Sequence, residues 1–313
     1  MVNDTSDQMT AYLFTGQGSQ YIGMGKDLYE SFPESRIIFE KAEEVLGFDL
    51  KRRCFEGPQE LLKTTSVSQP AILTVSIAAF EALKPKSGIT PAFLAGLSLG
   101  EYTALIAAGV FSFEEGLGLV RKRGEIMDKA AQKNPGAMAA ILDLPLDKIK
   151  QACRQSKAEI ANMNSPVQTV ITGKSEAVKK AMELCVELGA KRAIPLEVSG
   201  GFHSSLMREA ASELKEELNR VRFKEPCAPV ISNYTAKEER TPQEIKDNLV
   251  FQMYSPVRWE DSVRFMRSAG AERFLEFGPG KVLKGLMRSI DPSVGVTNIE
   301  KKEDVLNFNV RGS

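Results

Sequence analysis

The chain has 313 residues, with 41 basic and 41 acidic side chains, a single histidine and 42% hydrophobic residues. That length supports one large domain, or a large and a small one, around an ordinary core. The balanced charge gives no field for nucleic acid or an anionic membrane surface, and one histidine with four scattered cysteines makes no tetrahedral metal set, so no metal is expected.

In chain order, the N-terminal MVNDTSDQM is polar and acidic and lacks the basic start and apolar run of a signal peptide. No apolar run approaches the ~20 residues of a membrane span, so a cytoplasmic protein is expected. AYLFTGQGSQ reads as a strand running into a glycine-rich turn, GMGKDLYESF as a helix, and SQPAILTVSIAAFEALK as helical. AFLAGLSLG gives a second strand and turn, and EYTALIAAG continues as a helix that stops at Gly109. SFEEGLGLVRKRGEIMDKA is an amphipathic helix opened by Ser112 and Glu115 at capping-box spacing. Strands alternating with helices predict an α/β fold with a mostly parallel sheet.

Residues 134–198 follow a different pattern. GAMAAILDL is a strand, PLDKIKQACRQS a helix, AEIANMN and QTVITG two strands, KSEAVKKAMELCVELG a helix and AKRAIPLEV a strand. The order βαββαβ is that of a ferredoxin-like unit. The expected division is therefore a large domain of residues 1–133 and 199–313 with an inserted small subdomain of residues 134–198. APVISNY and ERFLEFGPG return to the main sheet. Cys54, Cys153, Cys185 and Cys227 form no C-x-x-C pair and read as buried thiols in a reducing compartment. The terminal VRGS reads as a tag remnant and is set aside.

Three side chains invite chemistry. Ser98 lies in Gly96-Leu97-Ser98-Leu99-Gly100, between a strand and a helix, which is the nucleophile-elbow pattern. A serine that merely caps the helix is the competing reading. A serine nucleophile needs a base, and His203 in SGGFHSSLM is the one imidazole in the chain. Its competing reading is an exposed or capping histidine. Arg123 falls on the apolar side of its helix, among Leu119, Val120 and Met127. It reads either as half of an internal salt bridge or as a guanidinium for a substrate carboxylate. GQGSQYIG fails the dinucleotide fingerprint because Tyr21 stands at the third glycine, and GPGKVL lacks phosphate-loop spacing.

FTGQGSQ, SQPA, GLSLGEYTAL, Arg123-Gly124, ANMNSPVQTVITG, GFHSSLM, SPVRW and EFGPGKVL occur in an order and spacing that resemble the malonyl-CoA:acyl carrier protein transacylase family over nearly the whole chain. The resemblance implies an α/β-hydrolase-like domain carrying a ferredoxin-like insertion. It implies Ser98 as nucleophile and His203 as base, with the backbone N–H groups of Gln17 and Leu99 as oxyanion hole. The Gln252 carbonyl would orient the imidazole without a third acid, Arg123 would hold the malonyl carboxylate, and Asn162 would line the site. The implied reaction is ping-pong: Ser98 takes malonyl from malonyl-CoA and passes it to the phosphopantetheine thiol of an acyl carrier protein. Malonyl-CoA is then a substrate, and no cofactor is expected.

The chain departs from the family pattern at Leu97, where a histidine is usual, and at Thr15, where a proline is common. Leu97 resembles the freestanding acyltransferases that serve polyketide synthases, so supply of polyketide or of fatty-acid synthesis are both open. Phe202 resembles malonyl-selecting members, whose bulky ring crowds an α-methyl group. An editing-type acyl-thioester hydrolase using the same Ser-His pair is the alternative, but such relatives generally lack the arginine. The intact Ser98, His203 and Arg123 argue against a non-catalytic scaffold. An acidic carrier is expected near some of Lys122, Lys191, Arg192, Lys281 and Lys284, and a monomer is expected.

Overall fold

The computed structural model describes residues 9–309, so the first eight residues of the polar leader and the VRGS terminus lie outside the described residues. Strand β1 (Thr10–Phe14) is buried along its whole length. TAYLF is apolar toward both faces, as a central parallel strand between two helical layers must be. The remaining strands are β2 (Phe93–Gly96), β3 (Ala137–Leu142), β4 (Glu159–Ser165), β5 (Gln168–Gly173), β6 (Arg192–Pro195), β7 (Val230–Ile231), β8 (Glu238–Glu239), β9 (Arg273–Phe277) and β10 (Val296–Ile299).

Six of them form the main sheet in the order β10-β9-β1-β2-β7-β8, parallel except for β8, which runs antiparallel to β7. Phe14 pairs with Gly96 on one side and with Phe277 on the other. The turns that follow β1, β2 and β9 therefore leave the sheet side by side at its carboxyl edge, where open α/β sheets build their sites.

The other four strands form an antiparallel sheet in the order β4-β5-β3-β6, the βαββαβ arrangement read from the sequence. Helix Leu146–Ser156 buries Ile149, Ala152, Cys153 and Ser156, and helix Ser175–Glu187 buries Val178, Ala181 and Cys185. These side chains make a core of their own with Ala139, Ile141 and Ile171. The small sheet is tied to the large domain where Val257, in the segment between helices Pro242–Gln252 and Trp259–Ser268, donates to Ala161 O at 2.8 Å and accepts from Met163 N at 2.9 Å.

Helix Thr65–Ser87 differs from expectation. It is 23 residues long, and an 18-residue window reaches a mean hydropathy of 1.3, enough by length and composition to cross a membrane. Within the fold 89% of that window is buried, packed against helices Pro33–Leu46 and Phe113–Lys133, so it is the central helix of the large core. Helix Phe113–Lys133 begins with the expected capping box, Ser112 Oγ accepting from Glu115 N at 3.1 Å and Glu115 Oε2 from Ser112 N at 2.9 Å.

Three further findings correct or extend the sequence reading. APVISNY contributes only Val230–Ile231 to the sheet, and β8 and β10 were not anticipated. Cys54, Cys153 and Cys185 are buried thiols, but Cys227 is exposed. It sits in a surface bend between Pro226 and Pro229, ahead of the strand that begins at Val230.

Candidate active site

The elbow is built on two close approaches. β2 ends at Gly96, and helix Leu99–Ala107 begins three residues later. A Cβ on Gly96 would lie 2.0 Å from the carbonyl carbon of Gly100, and one on Gly100 would lie 2.2 Å from Phe14 O. Only glycine fits either place. Between them Ser98 takes φ 53°, ψ −100°, a strained conformation for a residue with a side chain. Asn233 braces it: Oδ1 accepts from Ser98 N at 2.6 Å, and Nδ2 donates to Gly96 O at 2.7 Å.

Ser98 does not cap the helix, since its side chain makes no cap hydrogen bond. Its Oγ lies 2.8 Å from His203 Nε2 and accepts from Arg123 Nη2 at 3.0 Å. His203, also at positive φ (55°), is buried, and its Nδ1 sits 2.8 Å from the Gln252 backbone carbonyl. A carbonyl can only accept, so Nδ1 carries the proton and the Nε2 lone pair faces the serine. Burial first, and the Arg123 charge second, push the imidazole pKa down to about 4. It is therefore neutral and ready to accept a proton at neutral pH.

Arg123 is completely buried, as its place among apolar residues predicted. Its Nη1 donates to Gln69 Oε1 at 2.7 Å, and its Nη2 donates to Gln252 Oε1 at 3.1 Å as well as to Ser98. All three acceptors are neutral oxygens, so the internal salt bridge is not formed. The guanidinium lies 5.2 Å over the Tyr102 ring, and its Nε has no hydrogen-bond partner among the described residues. Burial lowers its pKa, yet a guanidinium keeps its charge.

Above the serine is a cleft of about 520 Å³ between the two sheets, lined among others by Gln17, Leu97, Asn162, Phe202 and His203. Asn162 comes from β4 and is nearly buried, as is Phe202, whose carbonyl accepts from Thr172 Oγ1 at 2.8 Å. Gln17 stands in the turn after β1, where its Oε1 accepts from Gln69 Nε2 at 3.3 Å. Leu99 is the first residue of its helix, so its N–H has no acceptor within that helix. Lys63 and Glu197 close one side of the cleft mouth with a 2.6 Å ion pair.

The structure thus brings together Ser98, His203, Arg123 and Gln252 by direct contact and sets Gln17, Leu99, Asn162 and Phe202 around them. Gln69, Asn233 and Glu101 were missed by the sequence reading. The one signal available for Glu101 was its position in the first helical turn, where an acid favours the dipole.

Residues 11–299 match the acyl transferase domain family. The malonyl CoA-acyl carrier protein transacylase of Bacillus subtilis is 47% identical over 300 residues, 94% of each chain. That of Escherichia coli K12 is 43% identical over 284 residues, 90% of this chain and 92% of the other. A solved complex of a type II polyketide synthase acyl-carrier protein with its malonyl-transacylase matches with TM-score 0.93 and 39% identity, covering 95% of this chain and 98% of that one. The acyl carrier protein S-malonyltransferase of Vibrio cholerae matches with TM-score 0.92 and 42% identity, again covering 95% and 98%. Matched across nearly its full length in sequence and in backbone, the chain belongs to the malonyl CoA-acyl carrier protein transacylase family.

Proposed function

We propose that this enzyme transfers malonyl from malonyl-CoA to the phosphopantetheine thiol of an acyl carrier protein through a malonyl-Ser98 intermediate. One observation carries the reading: Ser98 Oγ lies 2.8 Å from the acceptor nitrogen of a neutral histidine and 3.0 Å from a buried arginine whose hydrogen-bond acceptors among the described residues are all neutral.

In the first half-reaction His203 Nε2 takes the Ser98 proton as Oγ attacks the thioester carbonyl. The N–H groups of Leu99 and Gln17 receive the oxyanion, each contributing on the order of 3 kcal/mol to the transition state. The C–S bond breaks, and CoA leaves as the thiol with the proton from His203. In the second half His203 deprotonates the carrier thiol, which attacks the ester carbonyl, and the proton returns to Ser98 Oγ. The Gln252 carbonyl, 2.8 Å from Nδ1, accepts the Nδ1 proton's hydrogen bond and keeps the imidazole oriented throughout.

Arg123 selects the acyl group. A carboxylate that reaches its Nη atoms replaces neutral contacts with charge-assisted ones. Asn162 lines the pocket, and the Phe202 ring leaves little room for an α-substituent. Hydrolysis by water, the alternative, gains no support from relatives named as transacylases. Also proposed are action without a cofactor, as a monomer in the cytoplasm, and the division into residues 1–133 and 199–313 against 134–198, which the separate core of the small sheet supports. Leu97 beside the nucleophile is compatible with supply of either polyketide or fatty-acid synthesis.

The test is intact-mass spectrometry after brief exposure to malonyl-CoA and then to a carrier protein. The expected result is a malonyl adduct that is absent in Ser98→Ala and moves to the carrier in the wild type. An adduct lost to water with carrier present would instead identify a hydrolase.

A further inference from the structure

Beneath the serine, two glutamates are buried side by side. Glu101 lies in the first turn of helix Leu99–Ala107 and Glu239 lies in β8, and neither has any exposure. Glu101 Oε2 accepts from Asn233 N and from Gln252 Nε2, each at 2.9 Å. Glu239 Oε2 accepts from Asn248 Nδ2 at 2.9 Å. Each Oε1 is left without a hydrogen-bond partner among the described residues, and the two carboxyl groups lie close enough to act on one another electrostatically.

Two bare carboxylates cannot face each other in a dry interior. A single proton held between them satisfies both orphan oxygens and leaves one negative charge on the pair. Burial raises the pKa of both groups, in keeping with that proton. The other charged or titratable groups around the pair are Arg123 from helix Phe113–Lys133, Tyr102 from Glu101's own helix and Glu244 from helix Pro242–Gln252.

Gln252 connects this charge to the site. Its Nε2 donates to Glu101 and also to Ser98 O at 3.0 Å, its Oε1 accepts from Arg123 Nη2, and its backbone carbonyl accepts from His203 Nδ1. An amide between a carboxylate and a guanidinium is polarised in the same sense at both ends.

We propose that Glu101 and Glu239 share one proton and act as a single-anion positioning pair, which through Gln252 holds Arg123, Ser98 and His203 in register and balances Arg123 before the malonyl carboxylate arrives. The inference rests on the transacylase reading of the same site. Neither glutamate touches substrate, so both are positioning residues.

Glu101→Gln and Glu239→Gln in the full-length enzyme test it, each keeping the side-chain shape. Glutamine at 239 still donates to Glu101, as the protonated acid does, and leaves the anion beside Gln252. Glutamine at 101 moves the anion one residue further from Gln252. Glu101→Gln is expected to lower kcat/KM for malonylation of Ser98 about tenfold or more, and Glu239→Gln by clearly less. The wild-type-minus-variant infrared spectrum at neutral pH is expected to show a protonated-carboxyl C=O band with either variant. Absence of that band, wild-type acylation by Glu101→Gln, or an equal loss in both variants would overturn the proposal. Should Glu101→Gln not fold, the band and the rate of Glu239→Gln still decide. Failure of the wild type itself to form a malonyl adduct would refute the transacylase reading and leave the infrared result to judge the pair.

Discussion

At Arg123, removal of one side chain is expected to act on specificity more than on chemistry. Arg123→Ala is expected to lower kcat/KM for malonyl-CoA roughly a hundredfold, about 3 kcal/mol, because a buried carboxylate loses its charged partner. Acetyl-CoA, with nothing to place there, should lose far less, and competition between the two thioesters measures the difference. His203 sets the pH response. Its pKa in the fold, about 4, is below the ordinary histidine value, so the base stays neutral across the usual working range. The acylation rate of free enzyme should be flat from neutral pH downward and fall only as pH drops through about 4. The sign for stability is the same. The unfolded chain takes up the histidine proton first, so this group's contribution is whole above the ordinary pKa and is lost as pH falls toward the folded one. Ser98, His203 and Arg123 were legible because each broke a local rule: a serine framed by glycines, the one imidazole, a charge on an apolar face. Gln69 and Asn233 broke none. A buried amide that satisfies its own hydrogen bonds looks in sequence like any polar residue near a turn.

Among the elements, the elbow is the least forgiving. Gly100→Ala would drive a Cβ to 2.2 Å from the Phe14 carbonyl, and that atom belongs to the central strand and cannot yield. A cost of about 3 kcal/mol is expected, read as a lowered thermal midpoint together with loss of the Ser98 adduct. Strand–helix alternation and the small βαββαβ unit were readable because each element is long enough to show its period. β7 and β8 are two residues each, held by the edge of the sheet and by the Ser232–Lys237 turn, and no periodicity exists over two residues. Helix Thr65–Ser87 was readable as a helix but not as a largely buried one, because only the assembled layers show that both its faces are covered over most of its length.

For the molecule as a whole, the carrier protein must present its arm at the cleft mouth. Of the basic residues considered, Lys122 is paired with Glu125 at 3.0 Å and Lys191 with Asp143 at 3.5 Å. Lys281 flanks exposed Val282, which lines the cleft itself. The double reversal Lys281→Glu with Lys284→Glu is expected to raise KM for carrier protein about tenfold and leave malonylation of Ser98 unchanged. Equal effects on both half-reactions would exclude this face. The docking face was not legible in sequence, because a charge free for a partner and a charge already paired are written with the same letter.

The Val257 link between the small sheet and the large domain has a mechanical consequence. The strand that walls the cleft is bonded to a segment that begins, five residues earlier, at the carbonyl steadying the imidazole. A displacement of that strand is carried through five residues of backbone to the same carbonyl. The wall that faces the acyl group and the support of the base are thus two ends of one short length of backbone.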